Sequence, residues 1–311
     1  MTNELSDDIS IIDVASRSVV ATVPSGGWMQ GRALPGAPVE LHPPHRPASS
    51  KPHNVTFSPD GREAWIAHVG SHAVSILDTG TRKVLTTIQG GTRAHAVTFT
   101  PDGREAWLAN PGSDDVWIFE SATKERVKVI PVGKAPQLVA FSKDGRRAFI
   151  SHSGSEEVWV VDVQSRGVLG RVPAGKDAMG LGVSQDGRHV YVTTGGESRV
   201  VVIDAGSLKD VLSIETGLDA HGLAVSPDGQ FIYVANRGTD TLSVIHLPTH
   251  RVVREIPTGR RPDMLAVSPD GLQLFVTNRA DDTLAIVDLQ TQTVVVVVPV
   301  GRGPHGVAVR P

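Results

Sequence analysis

Histidines recur at one register of this sequence. His53, His95, His221 and His305 are separated by 42 residues or a multiple of 42, and each opens a short apolar run. Gln137, Met179 and Asp263 fill the same register between them. A second register holds His68, Asn110, His152, Thr194, Asn236 and Asn278, with Asn3 aligning from the N-terminal side. Arg237 and Arg279 directly follow two of those asparagines, and His42 and His45 form an HPPH cluster downstream of Trp28 and Met29. Neutral imidazoles gathered in one place can ligate a transition metal or haem iron, and they can carry protons near neutral pH. Copper would suit these nitrogens, with thioether help from Met179 or Met29. His42, His45, His53, His68, His95 and His152 are the candidate metal ligands. The wider ligand-binding set adds His221, His305, Asp263, Trp28, Arg237 and Arg279. Asp263 is the lone carboxylate of the inner register; it reads as an acid or base, or as an ion pair with Arg260 and Arg261. The two arginines favour an anionic ligand, or are simply solvated loop residues.

The elements that must position these side chains follow from the same spacing. Asp-Gly recurs at Asp60, Asp102, Asp144, Asp186, Asp228 and Asp270, every 42 residues. Around each lie four short apolar or alternating runs. Ser-Pro-Asp-Gly supplies a turn in which Pro presets φ and Gly accepts a positive one. Four short strands per 40–45 residues, with no helical periodicity, predict an all-β chain folded as a seven-bladed β-propeller of four-stranded antiparallel blades. Residues 1–311 then form a single domain. Residues 25–51, rich in Gly and Pro, read as an irregular loop inserted on the histidine-rich face, where a long ordered loop is often a lid or binding element.

The ends of the chain predict how the ring closes. TNELSDDISIIDV at the N-terminus aligns with TNRADDTLAIVDL at 277–289, and HGVAVRP at 305–311 aligns with first-strand segments such as HGLAVSP. The closing blade is therefore shared, from 1–24 plus 305–311, and closure removes the exposed sheet edges. Repeat positions matching 270–275 have no counterpart, so most of one strand is missing. That gap predicts residues upstream of Met1, which could include a secretion signal.

The second-strand tetrapeptides YVAN at 233–236, FVTN at 275–278 and YVTT at 191–194 resemble the YVTN family of β-propeller repeats. The likeness covers nearly the whole chain and implies the fold. It implies little about activity, since such propellers serve many roles. It also implies that the His before the first strand and the Asn closing the second belong to the architecture. His68 and His152, standing where Asn is expected, depart from that pattern.

Composition removes several classes of function. Net charge is −3, and no Lys or Arg run forms the basic stripe that nucleic acid requires. The chain has no cysteine, which excludes disulfides, covalently attached c-type haem and Cys-ligated metal centres. No apolar run approaches a membrane span; the longest, 294–298, fits a strand. No GxSxG, HExxH, P-loop or dinucleotide fingerprint is present. The expectation is a ligand-binding propeller, exported to the periplasm or beyond and redox-associated, carrying a transition metal or haem at its channel mouth. Its partner there is the metal or small ligand, or another protein. A non-catalytic interaction propeller and a lactonase-like hydrolase are the alternatives, and a cysteine-free chain is compatible with the cytoplasm too.

Overall fold

The computed structural model describes residues 1–26 and 49–311. Its elements are strands, joined by turns and by two short 3₁₀ segments at Gly195–Glu197 and Leu247–Thr249. Strands β1 (Thr2–Asn3), β2 (Asp8–Asp13) and β3 (Ser18–Pro24) form one sheet, and β4 (Pro52–Phe57), β5 (Glu63–His68), β6 (Ala73–Asp78) and β7 (Lys83–Gln89) form the next. Five further four-stranded sheets follow, at 96–131, 136–173, 178–215, 220–257 and 262–299. The molecule is a seven-bladed β-propeller, and all strand pairs within its blades are antiparallel.

Burial explains the strand order. In each complete blade the second strand carries five buried residues in a row, as in β5, and the third is nearly as dry. Both faces of these middle strands pack against neighbouring blades, so they read as continuous apolar runs rather than alternating ones. Trp65, for example, packs with Ala94, Val97 and Leu108 of the following blade. The fourth strand is the outer edge and alternates, with Val295 and Val297 exposed in Thr293–Pro299. The Asp-Gly turns behave as their composition requires. Ser58 Oγ donates to Asp60 Oδ1 at 2.6 Å, and Gly61 takes φ +66°.

The closing blade is assembled from both ends. Thr2 pairs with Ile9 and Asn3 with Asp8, while an isolated bridge joins Asn3 to Pro304. Thr2 N–H donates to Gly306 O at 2.8 Å, and His305 N–H to Thr2 O at 3.0 Å. Residues 305–311, expected as a first strand, run in that position without forming one. Their strand neighbour, β1, is two residues long, and its bridge to this segment is the single pair Asn3 and Pro304. The ends of the insertion stand together: Ser25 Oγ and Ser50 Oγ are 3.0 Å apart, and Ser50 Oγ donates to Asp7 Oδ1 at 2.8 Å.

Candidate functional site at the channel mouth

Seven first-strand segments converge on the axis, and the inner register opens each of them. Five of its seven side chains are buried, and His53 and Met179 are half-buried. His95, His221, His305, Gln137 and Asp263 are buried, and Asp263 has no exposed surface. Backbone carbonyls orient two of the imidazoles. His95 Nδ1 lies 2.9 Å from Gln137 O, and His305 Nδ1 lies 2.8 Å from His53 O. A carbonyl only accepts, so both rings carry their proton on Nδ1 and present an Nε2 lone pair, a tautomer assigned from these partners. His53 then donates from Nε2 to His95 Nε2 at 2.9 Å. That leaves His53 Nδ1 without a hydrogen-bond partner, 3.6 Å from Glu4 Oε2. The His53 and His305 rings stack with centroids 3.6 Å apart.

Charge in the site is balanced. Asp263 receives Nε of Arg237 at 2.9 Å, a second contact from Arg237 Nη2, and Arg279 Nη1 at 3.4 Å. The other end of Arg279 reaches Glu4 Oε2 at 2.5 Å. Burial alone would raise the Asp263 pKa, but His305, His221, Arg237 and Arg279 reverse it and hold the carboxyl well below the usual range. Burial pushes the histidines the other way. His53 falls to about 4, with the neighbouring His305 adding to the effect, and His305 also falls to about 4 against the pull of Asp263. Desolvation holds His95 and His221 well below their ordinary value, with His53 and Arg237 contributing respectively. Near neutral pH the mouth thus holds two carboxylates, two guanidiniums and uncharged imidazoles.

Three of these residues could hold a metal ion. Ligand atoms of His221, Asp263 and His305 all lie within 4.8 Å of one another. His221 Nε2 is 3.3 Å from Asp263 Oδ1, and His305 Nε2 is 3.8 Å from Asp263 Oδ2. Ligands roughly 2.1 Å from a tetrahedral ion stand about 3.4 Å apart, so both spacings are close to what an ion needs. The lone pair of His305 Nε2 already faces a carboxylate oxygen across that gap, and the backbone carbonyl of His53 fixes its ring as an outer-shell partner would. Both carboxylates are matched by arginines, so imidazole must supply most of the binding. That donor set suits borderline transition metals rather than calcium or magnesium.

The structure does not bring every predicted residue to this place. His68 Nε2 bonds Ser75 Oγ at 2.8 Å inside its own blade. Asn236 Nδ2 makes the same contact to Ser243 Oγ, and Asn3 Nδ2 to Ser10 Oγ, so His68 substitutes for the usual Asn. His152 Nδ1 contacts Glu157 O at 3.3 Å, and its ring lies against Trp159. These two histidines serve the second-to-third strand connection and do not join the inner cluster. Gln137 turns its amide to Ala135 O and Ser153 Oγ. Trp28, Met29, His42 and His45 lie outside the described residues. Arg237 and Arg279 are engaged by Asp263 and Glu4 rather than free, and Arg260 pairs with Asp281, leaving Asp263 to the other two arginines. Glu4 escaped the sequence reading. It directly follows Asn3, as Arg237 and Arg279 follow their asparagines, and that shared register was the available signal.

A profile of YNCE-like beta-propellers matches residues 42–310. The chain belongs to the YNCE-like beta-propeller family. Among solved structures, this YNCE-like propeller is similar to hydrazine synthase of Kuenenia stuttgartiensis, at 22% identity and TM-score 0.78, covering 88% of this chain and 94% of that one. It is similar to a functionally unknown protein from Desulfotomaculum acetoxidans, at 14% identity and TM-score 0.81, over 99% and 96% of the two chains. It also resembles the dihydro-heme d1 dehydrogenase NirN, solved in complex with DHE, at 18% identity and TM-score 0.68, over 98% of this chain and 64% of that one. At such identities these likenesses establish the shared fold. The YNCE-like propeller has no match among curated protein sequences. Among its described residues no helix is long and apolar enough to cross a membrane.

Proposed function

We propose that the chain is a ligand-binding propeller whose channel mouth holds a borderline transition metal, copper foremost, between His221, Asp263 and His305. One observation carries this reading. His305 Nε2, assigned as the unprotonated nitrogen because Nδ1 contacts His53 O, stands 3.8 Å from an oxygen of a fully buried carboxylate. An ion in that gap turns an unfavourable contact into a bond. His95 and His53 stand next to the site as further imidazoles, and Glu4 balances the charge.

The metal reading replaces His68 and His152 as ligands, because both are spent inside their blades. It is also favoured over haem. A single ion uses donors that already converge, since ligand atoms of His221, Asp263 and His305 lie within 4.8 Å of one another. The fold neighbours support a redox setting: one is a dihydro-heme d1 dehydrogenase and another is hydrazine synthase. An exported, periplasmic protein fits that setting. When bound, the metal would supply Lewis-acid or one-electron chemistry. The chain's own groups set the tautomer of His305 and the charge balance around the ion.

Metal analysis of protein from its native source, followed by calorimetric titration of the stripped protein with Cu²⁺ and Zn²⁺, tests the proposal. One equivalent bound by the wild type and lost in His305→Ala is the expected result. No saturable binding of either ion overturns it. The second reading, an interaction propeller without a metal, is favoured by the Arg237–Asp263–Arg279–Glu4 chain, which satisfies its own charges.

A further inference from the structure

Two blade boundaries carry the same latch, at the strand ends remote from the mouth. Lys124 Nζ donates to Glu63 Oε2 at 2.6 Å and lies over the Trp65 ring, whose Nε1 donates to the same oxygen at 3.0 Å. The next boundary repeats the arrangement, with Arg166 on Glu105 and its guanidinium over Trp107. In both, a residue of the third-to-fourth strand turn reaches 61 positions back, to the start of the preceding blade's second strand. Carried on by the 42-residue repeat, this register reaches Arg147 with Leu208 and then His189 with His250. There the two imidazole rings meet edge to face, with centroids 6.2 Å apart. Tyr191 stands in the tryptophan's place, its ring 6.3 Å from that of His189. Two imidazoles hold no carboxylate between them, so the ion pair that closes the earlier boundaries cannot form here.

We propose that a divalent transition metal ion, zinc or copper, bridges His189 and His250 and closes this boundary in place of a salt bridge. An ion about 2.1 Å from a ring nitrogen lies about 3.2 Å from that ring's centre, so two imidazoles sharing it stand between about 5 and 6.4 Å apart. The observed 6.2 Å falls inside that range. Both rings are half-buried, within reach of solvent, and His250 sits at the end of a short 3₁₀ turn where its ring can close on an ion. Among the described residues neither ring has a hydrogen-bond partner, whereas His246 on the same turn is held by Thr249 Oγ1, 3.0 Å from its Nδ1. Charge favours a cation. His189 stands directly across the ladder from Asp204, which puts their side chains on one face of the sheet. Ser207 holds the Asp204 carboxyl below its ordinary range through bonds to Oδ1, so an ionised group adjoins the site. The imidazoles supply the ligand bonds and water completes the coordination. With two protein ligands this ion binds more weakly than one held by three at the mouth.

Calorimetric titration of the full chain carrying His305→Ala with Zn²⁺ tests this, because that substitution removes the tight equivalent at the mouth. A weaker equivalent should remain, and saturating Zn²⁺ should raise Tm by about 2 °C or more. Adding His189→Gln or His250→Gln should weaken binding at least tenfold and remove the rise, while His246→Gln leaves both in place. A His305→Ala chain that also carries His189→Glu and His250→Lys regains the pair seen at Glu63 and Lys124. It should keep a metal-free Tm at or above that of its parent and no longer respond to Zn²⁺. No saturable binding by the His305→Ala chain, or binding undiminished in both glutamine variants, overturns the proposal. Failure of the mouth reading has a different signature: the wild type then lacks the tight equivalent, while the weaker one persists and still depends on His250.

Discussion

His305 lies ring against ring with His53, 3.6 Å between centroids, while its Nδ1 contacts the carbonyl oxygen of the same residue at 2.8 Å. One residue thus supplies both the stacking surface and the acceptor that sets the His305 tautomer. This pair joins the C-terminal segment to the first complete blade and aims a lone pair at Asp263.

Asp263 should be the most costly polar residue to neutralise. Asp263→Asn leaves Arg237 and Arg279 with a weaker acceptor in a dry site. Breaking a buried charge pair from one side typically costs about 3–5 kcal/mol. Urea denaturation should show that loss as a lower midpoint with an unchanged slope. A change below about 1 kcal/mol would mean that solvent reaches the cluster.

Metal affinity should separate the two histidine registers. His305→Ala and His221→Ala are expected to lower Cu²⁺ affinity by tenfold or more, whereas His68→Ala and His152→Ala leave it unchanged. Equal losses in all four variants would point to a general structural effect and count against a site at the mouth.

Acid stability should report His68 without involving the mouth. Burial lowers its pKa from 6.5 to about 4. Between those values the unfolded chain binds more protons than the folded one, so stability rises with pH through the window and is lost as pH falls below 6.5. His68→Asn installs the residue that Asn110, Asn236 and Asn278 supply at this register and removes the titration. Between pH 6.5 and pH 5 the wild type should lose on the order of 2 kcal/mol more than this variant. Parallel losses in the two proteins would contradict the assignment of His68 as a neutral buried group.

The inter-blade aromatics should carry stability and leave the site alone. Trp107 is fully buried, donates from Nε1 to Glu105 Oε2 at 2.9 Å and lies under the Arg166 guanidinium. Trp107→Ala should cost about 3–5 kcal/mol through the cavity it leaves. Metal binding by the folded fraction should remain at the wild-type level. A selective loss of binding would show that blade packing at a distance controls the mouth.

The architecture was legible in the sequence because it rests on local rules repeated many times. Asp-Gly turns, apolar middle strands and alternating outer strands each follow from turn sterics and burial, and their recurrence set blade number and register. The same register brought His53, His95, His221, Asp263 and His305 to one mouth. It could not determine which way each side chain turns. His68 and His152 fitted a metal site by residue type, yet Ser75 and Glu157 draw them into their own blades. Arg237, Arg279 and Glu4 are far apart along the chain, and only ring closure places them around Asp263, where burial makes their pairing obligatory. Tautomer, charge balance and the gap between His305 and Asp263 are all relations between blades, and those exist only once the ring is shut.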